Sequence, residues 1–163
     1  MHDDWTTRVE AVWNDDALSD DDRLVRIDAL AAERAAGDPV ALFERAGARD
    51  AAGLEAEAAP LYRAALDAGL DAVHRPQAVI QLASTLRNLG RAEEAVSMLR
   101  AEVARRPASP LQDEASAFLA LALVSLGRER EAASLALRTL APHLSRYARS
   151  VTSYADELAG HTP

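Results

Sequence analysis

Residues 81–95 read QLASTLRNLGRAEEA, and residues 118–132 read FLALALVSLGREREA. The offset is 37 residues, and it carries Leu82, Ala83, Leu86, Leu89, Gly90, Arg91, Glu94 and Ala95 onto Leu119, Ala120, Leu123, Leu126, Gly127, Arg128, Glu131 and Ala132. The same step backwards from Gly90 lands on Gly53, followed by Glu57 and Ala58. A fixed period in this range belongs to architectures in which one supersecondary unit stacks on the next. Such scaffolds hold other proteins; the period does not say which.

Each unit contains two apolar stripes at helical spacing. Val79, Leu82, Ala83 and Leu86 precede Gly90, and Ala95, Met98, Leu99 and Val103 follow it. Each stripe fits an amphipathic helix with one buried face. Glycine closes the first helix because the left-handed conformation costs it least. A pair of helices cannot bury both stripes alone, so neighbouring pairs must complete the burial.

This order resembles the tetratricopeptide repeat. The second unit supplies Val79, Leu82, Ala83 and Leu86, then Ala95, Leu99 and Pro107; the third supplies Leu119, Ala120, Leu123 and Ala132. The first supplies Leu42, Ala46, Gly53, Ala58, Tyr62 and Ala65. Two departures stand out. The period exceeds the family's by about three residues. The first unit also has Arg45 and Arg49 where the family places apolar residues, which predicts a degenerate first helix there. The stretch AGLEAEAAPLYRAAL further resembles a bacterial family of small stand-alone tetratricopeptide proteins. That resemblance implies no enzymatic activity and an inclination to dimerise.

The expected fold is all-α, an α-α superhelix in one domain over residues 1–163. A degenerate helix pair is predicted over 2–38, repeats over 39–75, 76–112 and 113–141, and a terminal helix over 142–160. A hydrophobic content of 49% permits a folded core, and 4% aromatics make it an Ala, Leu and Val core. With no cysteine, disulfides and thiolate metal sites are excluded. MHDDWTT lacks the basic and apolar regions of a signal peptide, and the apolar run 115–127 is too short for a bilayer, so the expectation is cytoplasmic with no membrane partner.

All 18 basic residues are arginine, and the net charge is −8. The charge is uneven: residues 1–74 carry 17 acids against 7 arginines, and residues 75–163 carry 9 acids against 11 arginines. The basic surplus of a nucleic-acid binder is missing, so no nucleic-acid partner is expected. The acidic front half suits a basic partner, the basic back half of another copy, or simply solvation.

Local signals place the helix ends. Trp5, Val9, Val12 and Trp13 have helical spacing, with Thr7 and Glu10 as a candidate capping box. Trp5 lies 37 residues before Leu42, at the family's tryptophan position. Ser19 followed by Asp20, Asp21 and Asp22 reads as a helix start, with Leu24, Val25, Ile27 and Leu30 as the buried face. The acid run lacks the spacing of a calcium loop. Asp38 and Pro39 suit the cap and first position of the next helix. Pro60 is predicted near a helix start, as are Ser109, Pro110 and Gln112.

No catalytic constellation is visible, and no metal or cofactor is expected. His2, His74, His143 and His161 show no helical ligand spacing. No phosphate loop, dinucleotide fingerprint or nucleophile elbow occurs. The resemblance instead implies a concave groove lined by the first helix of each pair, holding a protein or peptide. Its positions are Phe43, Gly47 and Asp50; Ile80, Ser84, Arg87 and Asn88; and Ala117, Leu121 and Val124. Family members that clamp a C-terminal carboxylate use lysines and asparagines. With only Arg87 and Asn88 suitably placed, that clamp is expected to be absent. Leu121 and Val124 either face the groove or lie under the last helix. The stripe Tyr147, Val151, Tyr154 and Leu158 reads as a cap or as a homodimer face, and a homodimer is the alternative to groove binding.

Overall fold

The computed structural model describes residues 4–160. Its architecture follows from one turn used three times. Gly53, Gly90 and Gly127 have φ of +72°, +76° and +70°, values that a side-chain-bearing residue rarely adopts. In each turn the residue after the glycine donates its N–H back over the helix end. The bonds are Leu54 to Arg49 at 2.8 Å, Arg91 to Leu86 at 2.8 Å and Arg128 to Leu123 at 3.0 Å. The glycine N–H itself reaches Asp50, Arg87 and Val124 respectively. This double bond pattern is a Schellman motif, which satisfies the last carbonyls of the helix.

The residue after each glycine then caps the next helix with nearly the same backbone. Leu54, Arg91 and Arg128 have φ between −98° and −108° and ψ between 48° and 52°. The second helices therefore start at Glu55, Ala92 and Glu129, in step with the sequence period.

Among the described residues there are nine α-helices and no strand. They are α1 (Asp4–Trp13), α2 (Asp20–Ala31), α3 (Pro39–Ala51), α4 (Glu55–Asp67), α5 (His74–Asn88), α6 (Ala92–Val103), α7 (Gln112–Val124), α8 (Glu129–Leu140) and α9 (Ala148–Leu158). A 3-10 turn, Ala141–His143, precedes α9. The chain forms two compact units, divided after Thr85 within α5.

In the first unit, α1 packs on α2, α2 on α3 and α3 on α4. Trp5, Val9 and Val12 of α1 meet Ile27, Leu30 and Ala31 of α2 and Ala41 and Ala48 of α3 in one buried cluster. The Trp5 indole donates to the Leu30 carbonyl at 2.8 Å, so its polar edge is satisfied inside the core. Ser19 and Asp38 cap α2 and α3, their side chains accepting from Asp22 N at 3.1 Å and Ala41 N at 2.9 Å, and Pro39 opens α3. Asp71 shapes the entry to α5, one carboxylate oxygen accepting from the Val73 and His74 amides at 2.8 and 2.9 Å.

Arg45 and Arg49 of α3 form hydrogen bonds with Asp28 of α2, which accepts from Arg45 Nε at 2.9 Å and from both terminal nitrogens of Arg49. Two cations replace apolar residues here because a carboxylate on the neighbouring helix receives them. The helix is intact rather than degenerate.

Other local expectations need correction. Thr7 lies inside α1, so it is not the cap. Val25 is exposed and Ala31 takes its place in the buried face of α2. Pro60 is the sixth residue of α4, past its start, because the Schellman turn begins that helix at Glu55. The carbonyl it leaves without a donor, on Ala56, belongs to an exposed residue and can be hydrated.

In the second unit, α6 packs on α7, α7 on α8 and α8 on α9. Ala95, Leu99, Ala115, Leu119, Ala122 and Leu123 are all buried. The helix predicted to start at Ser109 starts at Gln112 instead. The Ser109 hydroxyl accepts from Leu111 N, and the Gln112 side chain bonds the Val103 carbonyl at 2.9 Å rather than reaching back to a cap. Tyr147 sits in the left-handed region with φ +66° and precedes α9 instead of continuing its face. Ala155 is the residue that α9 buries fully, and Asp156 pairs with Arg138 at 3.4 Å.

Candidate functional site

The groove positions follow the same period, Phe43, Ile80 and Ala117 being equivalent, as are Gly47, Ser84 and Leu121, and Asp50, Arg87 and Val124. In the first unit Phe43 is buried and Gly47 and Asp50 are half-buried. Ile80 is buried and Ser84 half-buried. In the second unit Arg87 is half-buried, and its guanidinium donates to the exposed Asn88 side chain at 3.1 Å. Ala117, Leu121 and Val124 all face solvent, Leu121 at 48% and Val124 at 49% exposure. The last helix therefore does not cover them. Of the terminal stripe, Tyr147 is 76% and Tyr154 63% exposed, while Val151 and Leu158 are half-buried.

Phe43, Gly47 and Asp50 come together in a cleft of about 470 Å³, which Trp13, Glu44, Ala51, Tyr62, Gln77 and Gln81 complete. An added Cβ on Gly47 would lie 3.4 Å from the Trp13 ring, in ordinary contact with it. Trp13 donates its indole N–H to Glu44 Oε2 at 2.6 Å, Tyr62 donates to Gln81 Oε1 at 2.8 Å, and Thr85 donates to Asp50 Oδ1 at 3.0 Å. The Phe43 ring lies tilted to Tyr62 at 6.1 Å and edge-on to His74 at 5.7 Å.

The electrostatics of the cleft are one-sided. Burial pushes the Glu44 carboxyl above its ordinary value, against the Trp13 hydrogen bond and the nearby His74. Burial also pushes Asp50 up, against the Thr85 hydrogen bond and assisted by the charge of Glu55. The Tyr62 phenol is raised by burial and by the charges of Asp50 and Glu44. Sequence reasoning missed Glu44, Trp13, Tyr62 and Gln81. Of this cleft the period marked only Phe43, Gly47 and Asp50; Glu44 lies between them on α3, and Trp13, Tyr62 and Gln81 enter from α1, α4 and α5.

A larger cleft of about 790 Å³ lies in the second unit, floored by Leu119, Leu123, Leu135 and Leu158. Three of the arginines lining it form ion pairs: Arg100 with Glu131 at 2.6 Å, Arg128 also with Glu131, and Arg138 with Asp156.

Among the described residues no group of three or more His, Asp or Glu side chains is placed to hold a metal ion. His74 pairs with Asp71 at 2.7 Å and His143 with Asp113 at 3.0 Å; His2 and His161 lie outside the described residues. No described helix is long and apolar enough to cross a membrane.

The family Tetratrico peptide repeat matches residues 39–158. The chain belongs to the tetratricopeptide repeat family. Helices α3 to α9 lie within the matched span, and α1 and α2 precede it. Comparison with curated proteins and with solved structures gave no match. Tetratricopeptide repeats are typically non-catalytic and generally serve protein–protein interaction.

Proposed function

We propose that this tetratricopeptide protein is a non-catalytic interaction module that holds a segment of another protein against the first helices of its pairs. The observation that carries the reading is the exposed apolar row Ala117, Leu121 and Val124 on α7. These positions are one helical face at i, i+4 and i+7, equivalent by the period to the cleft-lining Phe43, Gly47 and Asp50. A photo-crosslinking residue placed at Leu121 tests this, with the exposed Val25 of α2 as the control position. An adduct with a different protein from position 121, absent from position 25 and lost in Val124→Asp, supports the reading. No position-dependent adduct sinks it.

A second reading is self-association through α9, favoured by the exposure of Tyr147 and Tyr154. Amphipathic tyrosines suit an interface core. Light scattering over a dilution series decides it: a dimer that survives Tyr147→Glu with Tyr154→Glu removes α9 as its interface.

A further inference from the structure

The first-unit cleft has the construction of a receptor for a planar cation. Its lining includes the half-buried Trp13 and Phe43, which is 7% exposed, with the Tyr62 ring fully buried, and two of its polar groups are the carboxylates of Glu44 and Asp50. Among the residues lining it there is no arginine, lysine or histidine, although the Arg23 guanidinium of α2 lies 5.7 Å from the Trp13 ring centroid. Nearby, His74 lies against Phe43 and forms a hydrogen bond with Asp71, outside the cleft.

We infer that this cleft binds an arginine side chain presented by the partner segment. The inference rests on the interaction reading above and supplies the partner chemistry that it lacks. Three features favour guanidinium over other cations. It stacks on aromatic faces, it pairs with carboxylates through a flat fork of N–H donors, and it gives up hydration more readily than an ammonium group. The cleft supplies the Trp13 ring, carboxylate acceptors and the amide oxygens of Gln77 and Gln81. Both carboxylates are disfavoured by burial when charged and empty, so an entering cation relieves a cost already present. The net charge of the first half has the matching sign for drawing in a basic segment.

The test uses the full chain and short blocked peptides, acetyl-Ala-Arg-Ala-amide and its Lys and Gln counterparts, titrated at millimolar concentrations. The Trp13 indole N–H resonance, assigned by its loss in Trp13→Phe, reports occupancy. The arginine peptide is expected to shift it saturably, the lysine peptide more weakly and the glutamine peptide not at all. Glu44→Gln keeps an acceptor for Trp13 and is expected to weaken arginine binding about tenfold. Gly47→Ala narrows the cleft next to Trp13 without strain and is also expected to weaken it.

Equal shifts by the arginine and glutamine peptides, or undiminished binding by Glu44→Gln, would overturn the proposal. Equal arginine and lysine binding would overturn the preference for guanidinium. Free guanidinium ion binding as tightly as the peptide would make the site one for small cations and overturn the side-chain assignment. Failure here is separable from failure of the interaction reading, because the crosslinking test at Leu121 reads the second unit and needs no cation.

Discussion

Arg49 holds Asp28 with two parallel hydrogen bonds, Nη1 to Oδ1 at 3.0 Å and Nη2 to Oδ2 at 2.9 Å, joining α3 to α2. Burial works to raise the Asp28 carboxyl, but the bonds from Arg49 and Arg45 outweigh it and hold the group below the usual carboxylate range. A depressed carboxyl contributes stability that is present above its unfolded value and lost as pH falls through its folded value. Asp28→Asn is therefore expected to lower stability by about 1–2 kcal/mol at neutral pH, discounted for partial exposure. Urea melts at stepped pH should show the gap from wild type closing below the ordinary aspartate value of 3.8.

Glu44 is expected to behave with the opposite sign. Its carboxyl is raised chiefly by burial, so its contribution is fully present below the unfolded value of 4.5 and is lost as pH rises through the folded value. Glu44→Gln mimics the protonated form and keeps the bond to Trp13. It should match or exceed wild type in stability at neutral pH, with the difference vanishing in acid. Thermal melts at two pH values check this. Greater stability together with weaker arginine binding is the signature of a residue kept for recognition at a cost to the fold.

Two glycine substitutions should move in opposite directions. Gly90→Ala forces a side chain into φ +76° and is expected to cost about 1–2 kcal/mol, although an added Cβ meets nothing within 4 Å. Gly47 lies in the interior of α3 without positive φ, so Gly47→Ala should gain up to about 1 kcal/mol. Chemical denaturation of the pair separates backbone strain from space.

Tyr62→Phe removes the hydroxyl that reaches Gln81 from a fully buried ring. A loss of about 1 kcal/mol is expected, kept small because the cleft lets water reach the Gln81 oxygen. Denaturant melts measure it. A loss as large as core truncation would mean that the ring itself had repacked.

Leu121→Asp with Val124→Asp should leave the fold nearly untouched, within about 0.5 kcal/mol per site, because both residues are about half exposed. Unchanged thermal melts beside lost crosslinking would assign the pair to contact rather than packing.

The helical class, the turns at Gly53, Gly90 and Gly127 and the caps at Ser19 and Asp38 were legible because each rests on local chemistry that repeats or is self-contained. The arginines of α3 were misread as decay, since their meaning depends on Asp28, 17 and 21 positions earlier in the chain. Pro60 and Gln112 were misplaced for a related reason: the helix starts are set by backbone turns whose capping residues, Leu54 and Leu111, provide no side-chain bond to read. The cleft was visible only along α3. Trp13, Tyr62 and Gln81 reach it from other helices, and no periodicity links them.

The Schellman turns at Gly53, Gly90 and Gly127 have a consequence for the gene. Because each turn joins helices through the same backbone path at the same interval, an in-frame loss or gain of one whole period would splice like to like at the junction. A change of another length inside a helix would rotate the residues that follow it in that helix onto the wrong face. This chain should therefore tolerate variation in units of one repeat far better than in single codons, and length variants among its descendants would be expected to differ by whole turns-to-turns.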